Sequence, residues 1–262
     1  MRCASLHPDA ADFGAWLDWM NAQARAHDIR LEDGRPVRFV AHDRLPRDAA
    51  YEQWIAQTAC VPTRNNHHDR LNAFVWLRLP RLKARLNAIQ SFWLDRLGAH
   101  GPRGAWRDWA TLMDENGAIV LDASPHGRLG LALQARRWMQ TFVEAREDWR
   151  EGRQVYLLGH ALLEKALAPY KAMTAHAWVL PLPQGAALSS WRAVDAHAQS
   201  VCPTAVDTVL LPPPALLPLP ILGVPGWWPA NEVSDFYADQ QVFRPLPAAR
   251  IMSVDSGSDD RC

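Results

Sequence analysis

A chain of 262 residues, 48% hydrophobic and 21% charged, has enough apolar material for a sizeable core and does not have the composition of a disordered chain. Lys plus Arg and Asp plus Glu number 28 each, so net charge gives no electrostatic ground for DNA, RNA or an anionic membrane as main partner. Cys3, Cys60, Cys202 and Cys262 are scattered with no Cys-x-x-Cys pair, which argues against both a zinc knuckle and a disulfide framework.

One globular domain over residues 1–250 is the expectation, two smaller domains the alternative, with a polar, acidic tail at 251–262 expected to be disordered. His7, Pro8, Asp9 and Asp12 interrupt the apolar stretch an export signal needs, which predicts a cytoplasmic location. The most apolar run, 209–224, contains Pro212, Pro213, Pro214, Pro218 and Pro220. Their missing amide donors would break a lipid-exposed helix, so it is read as a packed, extended loop and not a membrane span. The 13 tryptophans read first as large core anchors with a polar handle, and second as stacking platforms for a sugar or base.

In chain order, Trp16, Leu17, Met20 and Ala24 predict a helix over 13–26 capped by Asp12. A short strand follows at 37–41, then a helix over 49–60 with Tyr51, Trp54, Ile55 and Thr58 on one face, broken by Pro62. The stretch 66–79 reads as a helix stopped by Pro80. The next helix, 81–97, sets an apolar stripe of Leu82, Leu86, Ile89, Trp93 and Leu97 beside a polar stripe of Lys83, Asn87 and Gln90.

Residues 107–121 read as a hairpin turning at Asn116-Gly117, with Asp114 and Glu115 at the turn. Ser124-Pro125 opens a predicted helix running to about Trp149, and 155–158 reads as a buried strand or a helix start. A helix over 160–167, a strand at 178–182 and a helix over 189–200 complete the regular elements, and the rest to Arg250 reads as proline-rich and irregular. Leu222 to Trp227, with Gly223 and Gly226, reads as a rigid turn first and a pocket wall second.

Candidate chemistry gathers in three places. His68, Asn72 and Trp76 are spaced i, i+4, i+8 with Asp69 alongside. This suits an oriented general base or a metal ligand, or more plainly a helix start capped by Asn66, with Asp69 on the dipole and His68 bonded in the core. His160 and Glu164 at i, i+4 can present a nitrogen and an oxygen to one ion, although the second histidine of a His-Glu-x-x-His signature is missing. Asp108, Asp114 and Glu115 add carboxylates that are otherwise turn formers. There is no Gly-rich phosphate loop, nucleophile elbow or Walker lysine.

The run 61–76, carrying Thr63, Arg64, Asn66, His68, Asp69, Arg70, Asn72 and Trp76, resembles the opening signature of a bacterial family catalogued only as domain of unknown function 3025. Pro80, Lys83 and Leu86-Asn87 resemble its next segment, and Arg107-Asp108 through Thr111, Asp114, Glu115 and Gly117 its hairpin. Gly159 to Glu164 resembles its short helix and Pro218 to Trp227 its C-terminal motif, so the likeness spans roughly 50–245. The chain departs at His67, where the family usually has an apolar residue, and the family position is carried onto His68. The resemblance implies that these polar positions, Lys83 among them, belong to one design, and it implies no reaction, cofactor or fold.

The expected fold class is α+β, mainly helical: helices packed with a small sheet or hairpin, and a Pro-rich C-terminal wrap. The leading expectation is a metal-assisted hydrolase in which His68, Asp69, His160 and Glu164 converge. His68, His160 and Glu164 would be the metal ligands, Asn72 would orient substrate, and Asp114 or Glu115 would assist. The competing expectation is a non-enzymatic binding or interaction protein in which the same residues form a buried polar network, so whether the chain is an enzyme stays open. No cofactor is specified, a divalent metal being the one this residue set admits. A small-molecule ligand suits either reading, whereas nucleic-acid binding through Arg64, Arg70, Arg78, Arg81 and Arg85 is disfavoured by the balanced charge, and the oligomeric state is left open.

Overall fold

The computed structural model describes residues 12–98, 101–123, 128–182 and 190–246. The expectations for Cys3, Cys262, the Ser124-Pro125 helix start and the tail at 251–262 lie outside them.

In chain order the elements are α1 (Phe13–Ala26), β1 (Arg38–Ala41), α2 (Tyr51–Thr58), β2 (Cys60–Thr63), α3 (His67–Arg78), α4 (Pro80–Leu97), α5 (Gly104–Asn116), β3 (Gly117–Asp122), α6 (Arg128–Gln134), α7 (Arg146–Glu151), β4 (Arg153–Leu157), α8 (His160–Lys165), β5 (Thr174–Pro181), α9 (Trp191–Val201) and β6 (Leu217–Pro220). A turn of π-helix (Gln140–Glu144) and short 3-10 turns complete them. The class is α+β, mainly helical. No helix among the described residues is long and apolar enough to cross a membrane.

The chain groups into two compact units. The first takes the described residues of 12–116, 158–164 and 190–214; the second takes those of 117–157, 165–182 and 215–246.

In the first unit Asp12 caps α1 by accepting the Ala15 amide at 3.1 Å, and the helix buries Trp16, Met20 and Ala24. They pack with Ile29, Val37, Phe39, Ile55, Val61, Ala73 and Trp76, so Trp16 and Trp76 are core anchors. Helix α2 ends with Ala59 in the left-handed region (φ 54°), which turns the chain straight into β2. There β2 pairs in parallel with β1, from Arg38 opposite Cys60 to Ala41 opposite Thr63. The first turn of α4 has no cap of its own. Asp195 of α9 supplies one, accepting the amides of Arg81 at 3.0 Å and Leu82 at 2.9 Å.

The polar stripe of α4 faces inward. Lys83 reaches Asp114 of α5, Asn87 donates to Glu52 of α2 at 2.6 Å, and Gln90 accepts from Thr111 of α5 at 3.2 Å. The helix is thus held by apolar contacts on one face and by three specific polar contacts on the next.

The second unit is built on a four-stranded sheet in the order β4-β3-β5-β6. Its central pair, β3 and β5, is parallel, and the outer pairs are antiparallel. β3 is buried along its whole length, as a strand covered on both faces must be. Phe142 stacks with Trp138, Trp149 and Tyr237. The turn after β6 is pinned, because Asn231 donates to the Leu222 and Val224 carbonyls and Tyr237 to that of Gly223. A Cβ at Gly223 would lie 3.0 Å from the Phe243 ring, and Gly226 sits at φ 80°, so these glycines serve backbone geometry.

Three expectations are corrected. The hairpin at 107–121 is the end of α5 running directly into β3: Asn116 and Gly117 keep ordinary negative φ, and Trp106, Trp109, Ala110 and Met113 form a buried helical stripe. The single helix to Trp149 is broken into α6, the π turn and α7. Arg136 stands in the left-handed region (φ 52°), and the Arg137 amide reaches the Ala132 carbonyl, a helix stop made without glycine. The proline-rich segment is not wholly irregular, since β6 pairs Leu217–Pro220 with β5.

Candidate functional site

Three helices of the first unit bring the candidate residues together. α3 starts where Asn66 accepts the Asp69 amide at 2.7 Å, and this start sets His68 in its first turn. The last turn of α5 carries Asp114 and Glu115, and α8 opens on His160 with Glu164 one turn later.

The imidazoles of His68 and His160 meet edge to face with centroids 4.3 Å apart, and their Nε2 atoms lie 2.9 Å from each other. A carboxylate oxygen of Glu115 lies 3.4 Å from His160 Nε2. His68, Glu115 and His160 each offer an atom to a group that fits within 4.8 Å, the dimensions of a shared metal position. On the opposite edges of the rings, His68 Nδ1 donates to Glu164 at 3.0 Å, and His160 Nδ1 faces an Asp114 oxygen at 3.9 Å. His68, Glu115 and Glu164 are partly open to solvent, whereas His160, Asp114 and Lys83 are buried.

Beneath the histidines runs a chain of hydrogen bonds. Lys83 binds Asp114 and donates to Asn72 at 2.7 Å; Asn72 donates to the Tyr51 hydroxyl at 3.1 Å; Tyr51 donates to the Pro62 carbonyl at 3.3 Å. Burial alone would raise the Asp114 carboxyl, but Lys83, with His160 behind it, outweighs that and holds it below the ordinary value of 3.8. Burial lowers His160 more than Asp114 raises it, which favours the neutral imidazole. Burial also lifts the Tyr51 phenol, keeping it a hydroxyl donor, and pushes the Cys202 thiol up to about 12, which leaves it inert.

Burial and the nearby Asp114 push Glu52 up to about 7 from 4.5. Between these pH values the unfolded chain has released a proton that the folded one retains. Stability contributed by this residue is therefore full below pH 4.5, falls as pH rises, and levels off above about pH 7. Glu52→Gln keeps the bond from Asn87 and removes the penalty. The variant is expected to match the parent near pH 4 and to exceed it at pH 8 by on the order of 2 kcal/mol in urea unfolding. Equal stability at pH 8 would show that Glu52 is not held protonated.

The residues singled out from the sequence divide into three groups. His68, His160 and Glu115 converge on one point, with Glu164 and Asp114 behind the two rings. Asp69 is turned away, accepting the Arg64 amide at 2.7 Å as part of the helix start. Asn72 is buried, and its amide is bonded to Lys83 and Tyr51. Glu164 is bonded to the His68 nitrogen that points away from His160, and Glu115, not Glu164, shares the close group with His68 and His160. Tyr51 and Glu52 were missed. Their signal is adjacency on α2, one helix face from the inward polar stripe of α4.

Residues 37–247 match a family model described as Protein of unknown function (DUF3025), and the chain belongs to that family. No curated protein and no solved structure matches.

Proposed function

We propose that the chain is a metal-assisted hydrolase whose ion is held by His68 Nε2, His160 Nε2 and the Glu115 carboxylate. The observation that carries this reading is the convergence of those three groups, with the two imidazole nitrogens 2.9 Å apart and the carboxylate 3.4 Å from one of them. Two histidines and one carboxylate form a donor set suited to zinc or a related divalent ion. Three protein donors leave a coordination position for water, whose proton such an ion makes easier to lose at neutral pH. Partial exposure of His68 and Glu115 gives a substrate a way in, and the buried Lys83–Asp114 pair gives the floor a fixed shape. A second reading, a non-catalytic polar network, draws its support from the chain Tyr51–Asn72–Lys83–Asp114, in which every link is a hydrogen bond or ion pair.

The test is elemental mass spectrometry on untagged protein prepared without chelator, with His68→Ala/His160→Ala alongside. Hydrolysis of chromogenic carboxylic and phosphoric esters is followed in both. Near-stoichiometric metal, lost together with hydrolysis in a variant that still folds, is the expected result. A metal-free parent and a variant that only loses thermal stability would favour the network instead.

A further inference from the structure

We infer that Glu164 and Asp114 are paired positioning carboxylates, Glu164 bonded to His68 Nδ1 and Asp114 facing His160 Nδ1 at 3.9 Å, which favour a proton on both Nδ1 atoms so that both Nε2 lone pairs face a common divalent cation. The inference rests on the metal reading above and adds what prepares the ligands.

A neutral imidazole carries one proton, on either nitrogen, and the partner of one nitrogen decides the role of the other. The Glu164 carboxylate accepts from His68 Nδ1 at 3.0 Å, so the proton sits there and Nε2 keeps its lone pair. His160 Nδ1 is buried without a hydrogen-bond partner and faces the Asp114 oxygen 3.9 Å away. A lone pair on that nitrogen would point at a carboxylate in a water-poor place, so a proton there is favoured. Lys83 is ion-paired with Asp114, and Asn72 keeps Lys83 in place. The chain under the site thereby sets the tautomer of a histidine it does not touch.

With both protons on Nδ1, the two Nε2 lone pairs oppose each other at 2.9 Å, a repulsive arrangement until a cation stands between or beside them. While both rings are neutral, an N–H···N bond across the gap would relieve it only by turning one Nδ1 lone pair toward a carboxylate. The carboxylates therefore bias the pair toward binding a cation. They also account for Glu164 lying near the site without reaching the point where the other donors meet. A carboxylate behind each ligating histidine raises ligand basicity and fixes ring orientation.

The measurement is Co2+ binding to the full chain by chelator competition, with the visible absorption of bound Co2+ reporting its ligands. Glu164→Gln is expected to weaken Co2+ about 10–100-fold, with unchanged thermal stability and an unchanged visible band. Glu115→Gln is expected to alter the band, because it changes an oxygen in contact with the ion. Asp114→Asn made together with Lys83→Met, so that no charge is stranded, is expected to weaken binding with the band retained. Wild-type affinity in Glu164→Gln would overturn the positioning role while leaving the metal reading standing. A band altered in Glu164→Gln as in Glu115→Gln would overturn it too, by making Glu164 a ligand. A parent chain that binds no Co2+ would remove the metal reading and this inference with it.

Discussion

Asp122→Ala is expected to cost about 3–4 kcal/mol, because it strands a buried guanidinium in the second unit. Arg153 and Asp122 face each other across β4 and β3, with side chains 3% and 2% exposed and Nε donating to the carboxylate at 3.2 Å. Arg153 keeps two other neighbours, Asp148 at 3.0 Å on the solvent side and the Trp149 ring at 5.2 Å, and they set the lower end of the range. Removing both charges is a different experiment. Asp122→Leu with Arg153→Met leaves no ion to desolvate and is expected to cost clearly less than the single variant, since a buried pair gains little over apolar groups of similar volume. The check is a double-mutant cycle in guanidinium unfolding. A double variant as unstable as Asp122→Ala would mean that shape, not charge, is what the pair contributes.

What the sequence made legible follows the strength of its local signals. Helices α1, α3 and α4 are each announced twice, by an apolar period and by a boundary residue: Asp12, Asn66 and the pair Leu79-Pro80. The misreadings came where the boundary residue was unconventional. Arg136 and Ala59 end helices in the left-handed region without the glycine or asparagine that usually marks such a stop, and only tertiary packing justifies that strain. Asn116-Gly117 erred in the opposite sense, a turn dipeptide overruled by the tryptophan stripe of α5. β6 was hidden because its prolines suit a sheet edge yet read as loop.

The site was legible as a set and not as an arrangement. Spacing on α8 placed His160 and Glu164 on one face, and the juxtaposition of His68 with His160 joins residues 92 apart in the chain, which no local pattern encodes. Which edge of an imidazole a carboxylate occupies is likewise a tertiary fact. It is this fact that separates Glu115, on the Nε2 side, from Glu164, on the Nδ1 side. The polar stripe of α4 was read but its burial was not, although a Lys at i with Asn and Gln at i+4 and i+7 beside an apolar stripe is a polar seam that only facing helices can satisfy.

Lys83→Met tests that seam directly and is expected to cost at least about 3 kcal/mol at pH 7–8, since Asp114 would be left charged and buried beside an unpaired Asn72 oxygen. In the parent chain the folded carboxyl of Asp114 is depressed below 3.8. Its contribution to stability is therefore full above pH 3.8 and lost as pH falls through the lower folded value. Without the ammonium the sign reverses. Burial then raises the folded carboxyl above 3.8, the penalty is full above that raised value, and it fades as acid protonates the group. The gap between variant and parent should therefore be widest at pH 8 and narrow steadily toward pH 4, measured as urea midpoints at constant slope. Adding Asp114→Asn to Lys83→Met should close much of the gap at pH 8 and remove the Asp114 share of its pH dependence, because that carboxylate is no longer there to be desolvated. A gap that stays constant from pH 4 to 8 would assign the loss to the packing of the Lys83 stem, whose ammonium lies 5.4 Å from the Trp76 ring, and not to the ion pair.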